Sequence, residues 1–286
     1  MKILITGHKG FVGRYFIKKY SNHDITGIDI KDGNDCRDFF KLSNDRYDLV
    51  IHLAAIVGGR QTIDNNPLSV ATDLSIDSEM CQWALRTKPH RIVYFSSSAA
   101  YPTKLQKNIY RLKESDINLD DISNPDMTYG WSKLTGEYLL QFLNRENIKT
   151  YVFRPFTGYG TDQDLDYPFP SYIKRAKEKA DPFDIWGDGN QVRDFIHMQD
   201  IINAVDTAIA NEVEGPVNLG WGIATNFNDL CDMVCKQQKY SPKINRIITA
   251  PVGVQYRVCD PTKMLSFYKP KISLEEGIAK ALRGEI

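Results

Sequence analysis

The chain has 286 residues, 42% of them hydrophobic and 25% charged, and its 36 basic and 36 acidic side chains give a formal net charge of zero. This composition is typical of one large or two small globular domains, and the neutral balance does not favour nucleic acid or a membrane as a partner. The sequence opens directly into a strand and no apolar run reaches bilayer length, so we expect a cytoplasmic protein without a signal peptide.

The first thirty residues predict a strand, a glycine-rich turn, a helix and a second strand. Residues 3–6 are an apolar run, glycine occupies every third position of residues 7–13, and the apolar run at 25–29 ends in Asp29. Glycine adopts turn angles that a Cβ disfavours, and the following helix presents free N–H groups to phosphates. Asp29 can accept both hydroxyls of an adenosine ribose and would repel a 2′-phosphate. This context predicts a dinucleotide site for NAD rather than NADP.

Strands and helices alternate through the rest of the first half, which predicts an α/β fold with a doubly wound parallel sheet. Further strands are expected at residues 49–53, 91–96, 150–153 and 217–219. Helices are expected at residues 67–88, 127–145, 171–179 and 200–211. Ligands bind at the carboxyl ends of the strands in such sheets, so one crevice should collect the residues that follow them.

The composition changes after Phe156, where a segment rich in Gly, Pro, Asp and aromatic residues begins. We therefore expect two domains. Residues 1–156 and 191–219 would form the NAD-binding domain. Residues 157–190 and 220–286 would form a smaller α/β domain that completes the site.

Tyr129 and Lys133 are spaced i and i+4 on a predicted helix, so they share one face. An ammonium close to a phenol favours the phenolate and lowers the pKa of the tyrosine, which can then take a proton from a sugar hydroxyl. Ser97, at the end of a predicted strand, could bond the same oxygen. Tyr-x-x-x-Lys is common by chance, but beside the NAD turn it predicts a catalytic group.

The cysteines and histidines predict no disulfide and no metal site. The five cysteines are odd in number and lack a C-x-x-C spacing, which is typical of reduced thiols in a cytosolic protein. His52 and His197 have no partners at metal-ligand spacing and are expected to be structural. The acidic residues Asp162, Asp164 and Asp166 lack the glycine and distal glutamate of a calcium loop.

Over almost its whole length the chain resembles the extended short-chain dehydrogenase/reductases, the NAD-dependent epimerase/dehydratase family that acts on nucleotide sugars. The shared motifs are residues 7–13, His52-Leu53-Ala54-Ala55, residues 129–133, residues 187–197 and Val217-Asn218-Leu219-Gly220. Within that family its motifs are most similar to those of GDP-fucose synthases and GDP-mannose 3,5-epimerases. The resemblance implies a Rossmann-type sheet with a smaller C-terminal substrate-binding domain.

The resemblance also implies the roles of individual residues. The catalytic set would be Ser97, Tyr129 and Lys133. The residues expected to bind the cofactor NAD are Gly7, Gly10, Phe11, Val12, Gly13, Asp29, Ile30, Asp35, Cys36, Leu53, Ala54, Ala55, Tyr129, Lys133 and Phe156. The residues expected to bind a nucleoside-diphosphate sugar are Val57, Gly58, Ser98, Thr157, Arg193 and Arg257, and two arginines from separate segments suit a pyrophosphate.

Three residues depart from the family pattern. Ala99 stands where 3,5-epimerising relatives have a cysteine and 4,6-dehydratases a glutamate, and alanine cannot move a proton at C3 or C5. Asp73 stands on the long helix, where an asparagine is usual, and Thr157 also replaces an asparagine. The chemistry that remains is hydride transfer at one carbinol carbon, C4.

The sequence therefore predicts a C4 epimerase that works through a 4-keto intermediate. Two alternatives stay open: a one-way 4-dehydrogenase or 4-ketosugar reductase, and a catalytically silent NAD-binding protein. Turnover with catalytic amounts of NAD would distinguish the epimerase from the one-way dehydrogenase or reductase. A homodimer is expected, because the helices at residues 67–88 and 127–145 can pair across a twofold axis. The apolar residues expected there include Met80, Trp83, Ala84, Leu139 and Phe142.

Overall fold

A six-stranded parallel sheet lies at the centre of the protein, in a computed structural model that describes residues 1–58, 65–107, 109–160 and 162–285. In chain order the strands are β1 (Lys2–Thr6), β2 (Asp24–Ile28), β3 (Leu49–His52), β4 (Arg91–Phe95), β5 (Arg111–Leu112), β6 (Lys149–Pro155), β7 (Thr157–Tyr159), β8 (Phe183–Trp186), β9 (Val192–Arg193), β10 (Phe195–His197), β11 (Val217–Leu219), β12 (Thr225–Asn226), β13 (Ile244–Ile247) and β14 (Tyr256–Cys259). The central sheet has the order β11-β6-β4-β3-β1-β2. The predicted doubly wound parallel sheet is confirmed.

Helices cover both faces of this sheet. They are α1 (Phe11–Lys19), α2 (Cys36–Leu42), α3 (Pro67–Val70), α4 (Thr72–Thr87), α5 (Met127–Arg145), α6 (Pro168–Lys177), α7 (Met198–Ala210), α8 (Phe227–Gln238), α9 (Thr262–Leu265) and α10 (Leu274–Arg283). Side chains of α1 and α7 pack on one face of the sheet, and those of α2, α4 and α5 pack on the other. Burial on both faces explains why the central strands appear in the sequence as continuous apolar runs.

The crevice for a ligand lies beside β1. The chain enters the sheet at β1, places β2 on one side of it and then crosses to β3 on the other. The loops after β1 and β3 therefore leave the sheet in opposite directions, which opens a space at the carboxyl ends of the strands. The glycine turn, Asp29 and the loop at Ala54–Ala55 all follow these strand ends.

The helix predicted at residues 67–88 is two helices, with Ala71 between α3 and α4. At this break the carboxylate of Asp73 accepts the backbone N–H of Ile56, which ties the start of α4 to the loop after β3. The helix predicted at 171–179 begins earlier, at Pro168, because prolines fit a first turn whose N–H groups need no partner within the helix. The helix at Met127–Arg145 and the strand at Val217–Leu219 are confirmed.

The second core lies under the C-terminal half of the chain. It is built from apolar side chains of α6, α8 and α10 with Phe183 and Ile185 of β8. Short strands join in small sheets of the order β12-β9-β14-β5, β10-β7 and β13-β8. The domain boundaries drawn from the sequence stay a prediction; β9, from a segment assigned to the first domain, pairs with β12 and β14.

Three of the apolar residues expected at a dimer interface are instead part of the core. Met80, Trp83 and Ala84 are fully buried and pack with Phe40, Tyr47 and Tyr94. They lie on the face of α4 that covers the sheet, which a sequence pattern alone does not distinguish from an outward face. Phe142, on α5, is 40% exposed.

Candidate active site

The glycine turn brings three pieces of backbone into close contact. Gly7 has a φ of +70°, and a Cβ there would lie 2.9 Å from the backbone nitrogen of Ala54. A Cβ at Gly13 would lie 2.2 Å from the carbonyl oxygen of Gly7, so the first turn of α1 can pack directly under the loop. Gly10 donates its N–H to the Gly7 carbonyl at 3.0 Å and precedes the helix. This shape suits a pyrophosphate, which approaches backbone N–H groups at a helix N-terminus.

Asp29 lies at the end of β2, beside this turn. Its side chain is buried, and its two oxygens accept the backbone N–H groups of Lys9 at 2.8 Å and Lys31 at 2.9 Å. These contacts fix the carboxylate in one orientation next to the glycine turn. Each oxygen keeps a further lone pair, with which it could accept a ribose hydroxyl.

We expect the protein to bind NAD at least about tenfold more tightly than NADP. Two like charges about 4 Å apart repel each other by about 4 kcal/mol at an effective dielectric of about 20. A 2′-phosphate beside Asp29 would meet that repulsion, while a 2′-hydroxyl would donate a hydrogen bond. Calorimetric titration with both cofactors measures the ratio of the two affinities. Asp29→Ser is expected to reduce the preference for NAD. Equal affinity of the unaltered protein for the two cofactors would contradict the assignment.

Several of the other residues expected to bind the cofactor have well-defined local contacts, and their contact with NAD stays a prediction. Asp35 caps α2 by accepting the N–H of Arg37, and the Arg37 guanidinium holds the pKa of that carboxyl below its usual value. Cys36 is buried, and burial raises the pKa of its thiol to about 12. Thr6 Oγ1 accepts the N–H groups of Leu53 and Ala54, each at 3.2 Å, and so fixes the loop after β3. Phe156 packs against Tyr101, with ring centroids 6.0 Å apart.

Ser97 and Tyr129 meet where α5 begins. Ser97 follows β4, and its Oγ accepts the N–H of Ala99 at 3.1 Å, which caps a short 3₁₀ turn at Ser98–Ala100. Gly130 lets α5 approach this turn, since a Cβ there would lie 2.4 Å from the Ala99 carbonyl oxygen. The phenol of Tyr129 is thereby placed in hydrogen-bonding contact with the Ser97 side chain.

Lys133 lies one turn further along α5. It is buried, and its Nζ is 5.2 Å from the ring centre of Tyr94 and 5.8 Å from that of Tyr129. The predicted grouping of Ser97, Tyr129 and Lys133 is therefore present in the fold. Their catalytic roles stay a prediction.

The pKa of Tyr129 differs in direction from the one expected beside a lysine. Burial raises the pKa of the phenol, and the nearby carboxylate of Asp73 raises it further, while the hydrogen bond with Ser97 and the charge of Arg257 lower it. The expected lowering by Lys133 is thus not seen in the structure. Asp73 could be noted in the sequence as a departure, but its electrostatic effect on Tyr129 could not.

A chain of buried hydrogen bonds lies beneath the site. The His52 ring contacts Thr6 Oγ1 at 2.9 Å and Asp77 Oδ1 at 3.1 Å, and Tyr94 donates its hydroxyl to Asp77 Oδ2 at 2.6 Å. His52 is therefore structural, as expected. These hydrogen bonds connect β1, β3 and β4 to α4, and so fix the helix that contains Asp73.

The two arginines expected to bind the diphosphate are neighbours in register. Arg193 of β9 is paired with Arg257 of the parallel strand β14. Arg193 donates to the carbonyls of Val252 and Val254. Arg257 donates to the side chains of Gln106 and Asp126, and both of these hydrogen bonds are 2.6 Å long. Asp126 was missed in the sequence, although it lies three residues before Tyr129. The side chain of Arg257 is close enough to Tyr129 to affect its pKa.

A second buried network, also missed, supports the serines from behind. Glu137 of α5 accepts the Ser96 hydroxyl and forms two hydrogen bonds with Arg154 of β6, at 2.9 and 2.6 Å. Arg154 also donates to the Tyr101 hydroxyl at 3.1 Å. The helical spacing of residues 127–145 predicts that Glu137 faces solvent, but its side chain is only 3% exposed.

The remaining residues expected to bind substrate lie at the ends of β3, β4 and β6. Val57 is 55% exposed and Gly58 is partly buried, while Ser98 is buried beside Ser97. Thr157 donates its N–H to the Asp194 carbonyl at 2.8 Å. Their contact with a substrate stays a prediction.

Within the described residues, no group of three or more His, Cys, Asp or Glu side chains is arranged to hold a metal ion. In the same part of the chain, no helix combines the length and apolar character needed to cross a membrane. All five cysteines are free and buried.

Comparisons with known proteins agree with this geometry. The model of the NAD dependent epimerase/dehydratase family matches residues 3–220. GDP-L-fucose synthase of Escherichia coli is 24% identical, over 97% of this chain and 94% of the relative. GDP-mannose 3,5-epimerase of Arabidopsis thaliana is 26% identical, over 97% of this chain and 80% of the relative. A UDP-glucuronic acid 4-epimerase from Bacillus cereus, solved with NAD and a UDP sugar, has a TM-score of 0.84 and 26% identity, and the match covers 99% of this chain and 98% of that one.

Proposed function

Because the chain belongs to the NAD dependent epimerase/dehydratase family, we propose that it catalyses hydride transfer at C4 of a nucleoside-diphosphate hexose, with C4 epimerisation as the net reaction. The family confirms the resemblance found in the sequence and the prediction of NAD as cofactor. The observation that supports the proposal is the grouping of Ser97, Tyr129 and Lys133 at the carboxyl end of the sheet that holds the glycine turn and Asp29.

The residues of the chain fit NAD and divide the work around it. Gly7 and Gly13 leave room for a pyrophosphate, and Asp29 is oriented for the adenosine ribose. Bound NAD supplies a hydride acceptor at the sugar carbon and can return the hydride. Tyr129 takes the proton of the C4 hydroxyl and later gives it back, and Ser97 orients the same oxygen. The positive charge of Lys133, 5.8 Å from the Tyr129 ring, opposes the effects of burial and Asp73 that keep the proton on the phenol.

Epimerisation requires that the 4-keto sugar rotates in the site before it is reduced again, so that the hydride returns to the opposite face of C4. Arg193 and Arg257 would hold the diphosphate while the sugar turns. The similar proteins differ in the nucleotide of their sugar: the two curated relatives are named for GDP sugars, and the solved structure contains a UDP sugar. We therefore propose a GDP- or UDP-linked hexose as the substrate class.

A one-way dehydrogenase or 4-ketosugar reductase is the second candidate, because GDP-L-fucose synthase is among the relatives. The two functions differ in their use of the cofactor. An epimerase turns over many sugars with catalytic NAD, whereas a one-way enzyme consumes one cofactor for each sugar.

We expect no proton exchange at C3 or C5 of the substrate, because Ala99 has no titratable group where relatives carry a cysteine or glutamate. The test is incubation of GDP- and UDP-hexoses with catalytic NAD in deuterated water, followed by NMR and mass spectrometry. A C4 epimer without deuterium is the expected product. Deuterium at C3 or C5 would reveal a base other than Tyr129, and product in proportion to added cofactor would favour the one-way reaction. Absence of any turnover on the whole panel would favour a catalytically silent protein.

A homodimer and a cytoplasmic location remain proposals. Exposed apolar side chains on α4 and α5 support the dimer: Leu74, Leu85, Trp131, Tyr138 and Phe142 are each 37–43% exposed. These two helices pack against each other, so their outer faces together could meet a second copy of the chain.

A further inference from the structure

Asp73 is a buried carboxylate that is only half satisfied by hydrogen bonds. It lies in the first turn of α4 and is 0% exposed. Oδ1 accepts the N–H of Ile56 at 2.6 Å, whereas Oδ2 has no hydrogen-bond partner among the residues that the structure describes. A buried polar atom without a partner is costly and rare, so its retention calls for an explanation.

The groups that face Asp73 belong to the candidate catalytic site. The helix α4 packs against α5, whose Lys133 and Tyr129 are near enough to interact electrostatically with Asp73, and Asp77 lies one turn further along α4. Asp77 is in turn bonded to His52 of β3 and Tyr94 of β4. The buried ammonium of Lys133 can thus interact with the carboxylate of Asp73 and with the phenol of Tyr129, and its interaction with one weakens its effect on the other.

We propose that Asp73 is a positioning residue that controls, through its charge beside Lys133, when Tyr129 releases its proton; this rests on the proposed function. Ionised Asp73 offsets the charge of Lys133 and keeps the proton on the phenol oxygen. Protonated Asp73 removes that negative charge, and Lys133 then favours the phenolate. No proton moves between Asp73 and the substrate in this scheme.

Asp73 carries its negative charge at neutral pH, although its carboxyl is buried. Burial raises the pKa of its carboxyl to about 6; Lys133 and the N–H of Ile56 act against this rise, and Asp77 adds to it. The same carboxylate is the second cause, after burial, of the raised pKa of Tyr129. The charge of Asp73 therefore acts on the phenol of Tyr129.

A purely structural role would not need the charge. An asparagine at this position, the residue expected from the family pattern, could accept the N–H of Ile56 through its carbonyl oxygen and stay neutral at every pH. Asp73→Asn therefore keeps the tie between α4 and the loop after β3 and removes only the charge. It mimics the protonated state permanently.

The first test needs no substrate. Ionisation of Tyr129 is followed by the near-ultraviolet absorbance of tyrosinate, as the difference between each protein and the same protein with Tyr129→Phe. We expect Asp73→Asn to lower the pH of this transition by about one unit or more. An unchanged transition would overturn the proposal. Asp73→Ser, which is also neutral, must shift it in the same direction.

The second test follows sugar oxidation in a single turnover across pH. The pH at which oxidation reaches half its maximal rate should fall in Asp73→Asn by the same amount as the phenol transition. Asp200→Asn is the matched control, because Asp200 is a buried carboxylate that binds Tyr268, Lys271 and Ile272, and it should shift neither curve. If the unaltered protein oxidises no sugar, the proposed function fails while the absorbance titration still decides the role of Asp73. If the unaltered protein oxidises sugar, and Asp73→Asn has the same phenol transition and the same pH profile of the rate, only the role of Asp73 is wrong.

Discussion

Replacing Tyr129 by phenylalanine is expected to lower the rate of sugar oxidation by about 10²–10⁴-fold, the usual contribution of a positioned acid or base. Phenylalanine keeps the ring next to Lys133, so the packing of α5 should be retained. It removes the only oxygen near Ser97 that is proposed to take the proton of the C4 hydroxyl. NAD should still bind, because the glycine turn and Asp29 follow β1 and β2 and do not depend on the phenol of Tyr129.

Tyr138→Phe is the matched control for this experiment. Tyr138 is on the same helix but is 43% exposed, and its ring packs on Phe142 at 5.2 Å. Its loss should leave turnover unchanged. Rate measurements with a nucleotide sugar and calorimetry with NAD give the two readouts. Turnover of Tyr129→Phe within a few-fold of the unaltered protein would rule out the phenol as the acid and base.

The part of the site that could be predicted from sequence depends on short-range spacing. The glycine turn is followed directly by α1, and Tyr129 and Lys133 are one helical turn apart, so each motif is local in the chain. The central strands could be predicted for a similar reason, since burial on both faces selects continuous apolar residues at positions such as Ile3–Ile5. Their predicted ends agree with the structure within two residues.

The part that could not be predicted depends on contacts between distant segments. The strands β5, β9 and β12 are two residues long and are defined by their pairing partners rather than by an apolar pattern. Arg193 and Arg257 could be recognised as candidates, but their side-by-side register is a property of the β9–β14 pair. Asp73 was noted as a departure, and its burial beside Lys133 became visible only when α4 was packed on α5.

The buried ion pair of Glu137 and Arg154 is the clearest contact of this kind, and Arg154→Met is expected to lower the free energy of unfolding by about 3–5 kcal/mol. Both side chains are at most 3% exposed, and their 2.6 Å hydrogen bond joins α5 to β6. Without Arg154, Glu137 becomes a buried negative charge whose remaining partner is the hydroxyl of Ser96. The double variant Glu137→Leu/Arg154→Met should therefore be less destabilised than Arg154→Met alone, because it leaves no unpaired charge.

The matched control is Lys88→Met, which breaks an ion pair between Lys88 and Glu146 whose side chains are 45% and 57% exposed. An exposed pair contributes about 0–1 kcal/mol, because water and salt screen its charges. Urea unfolding of the variants at one pH and salt concentration measures the differences. A cost for Arg154→Met no larger than that for Lys88→Met would contradict the prediction. Since Ser96 precedes Ser97, the same loss of support should also reduce sugar oxidation, whereas Lys88→Met should leave it unchanged.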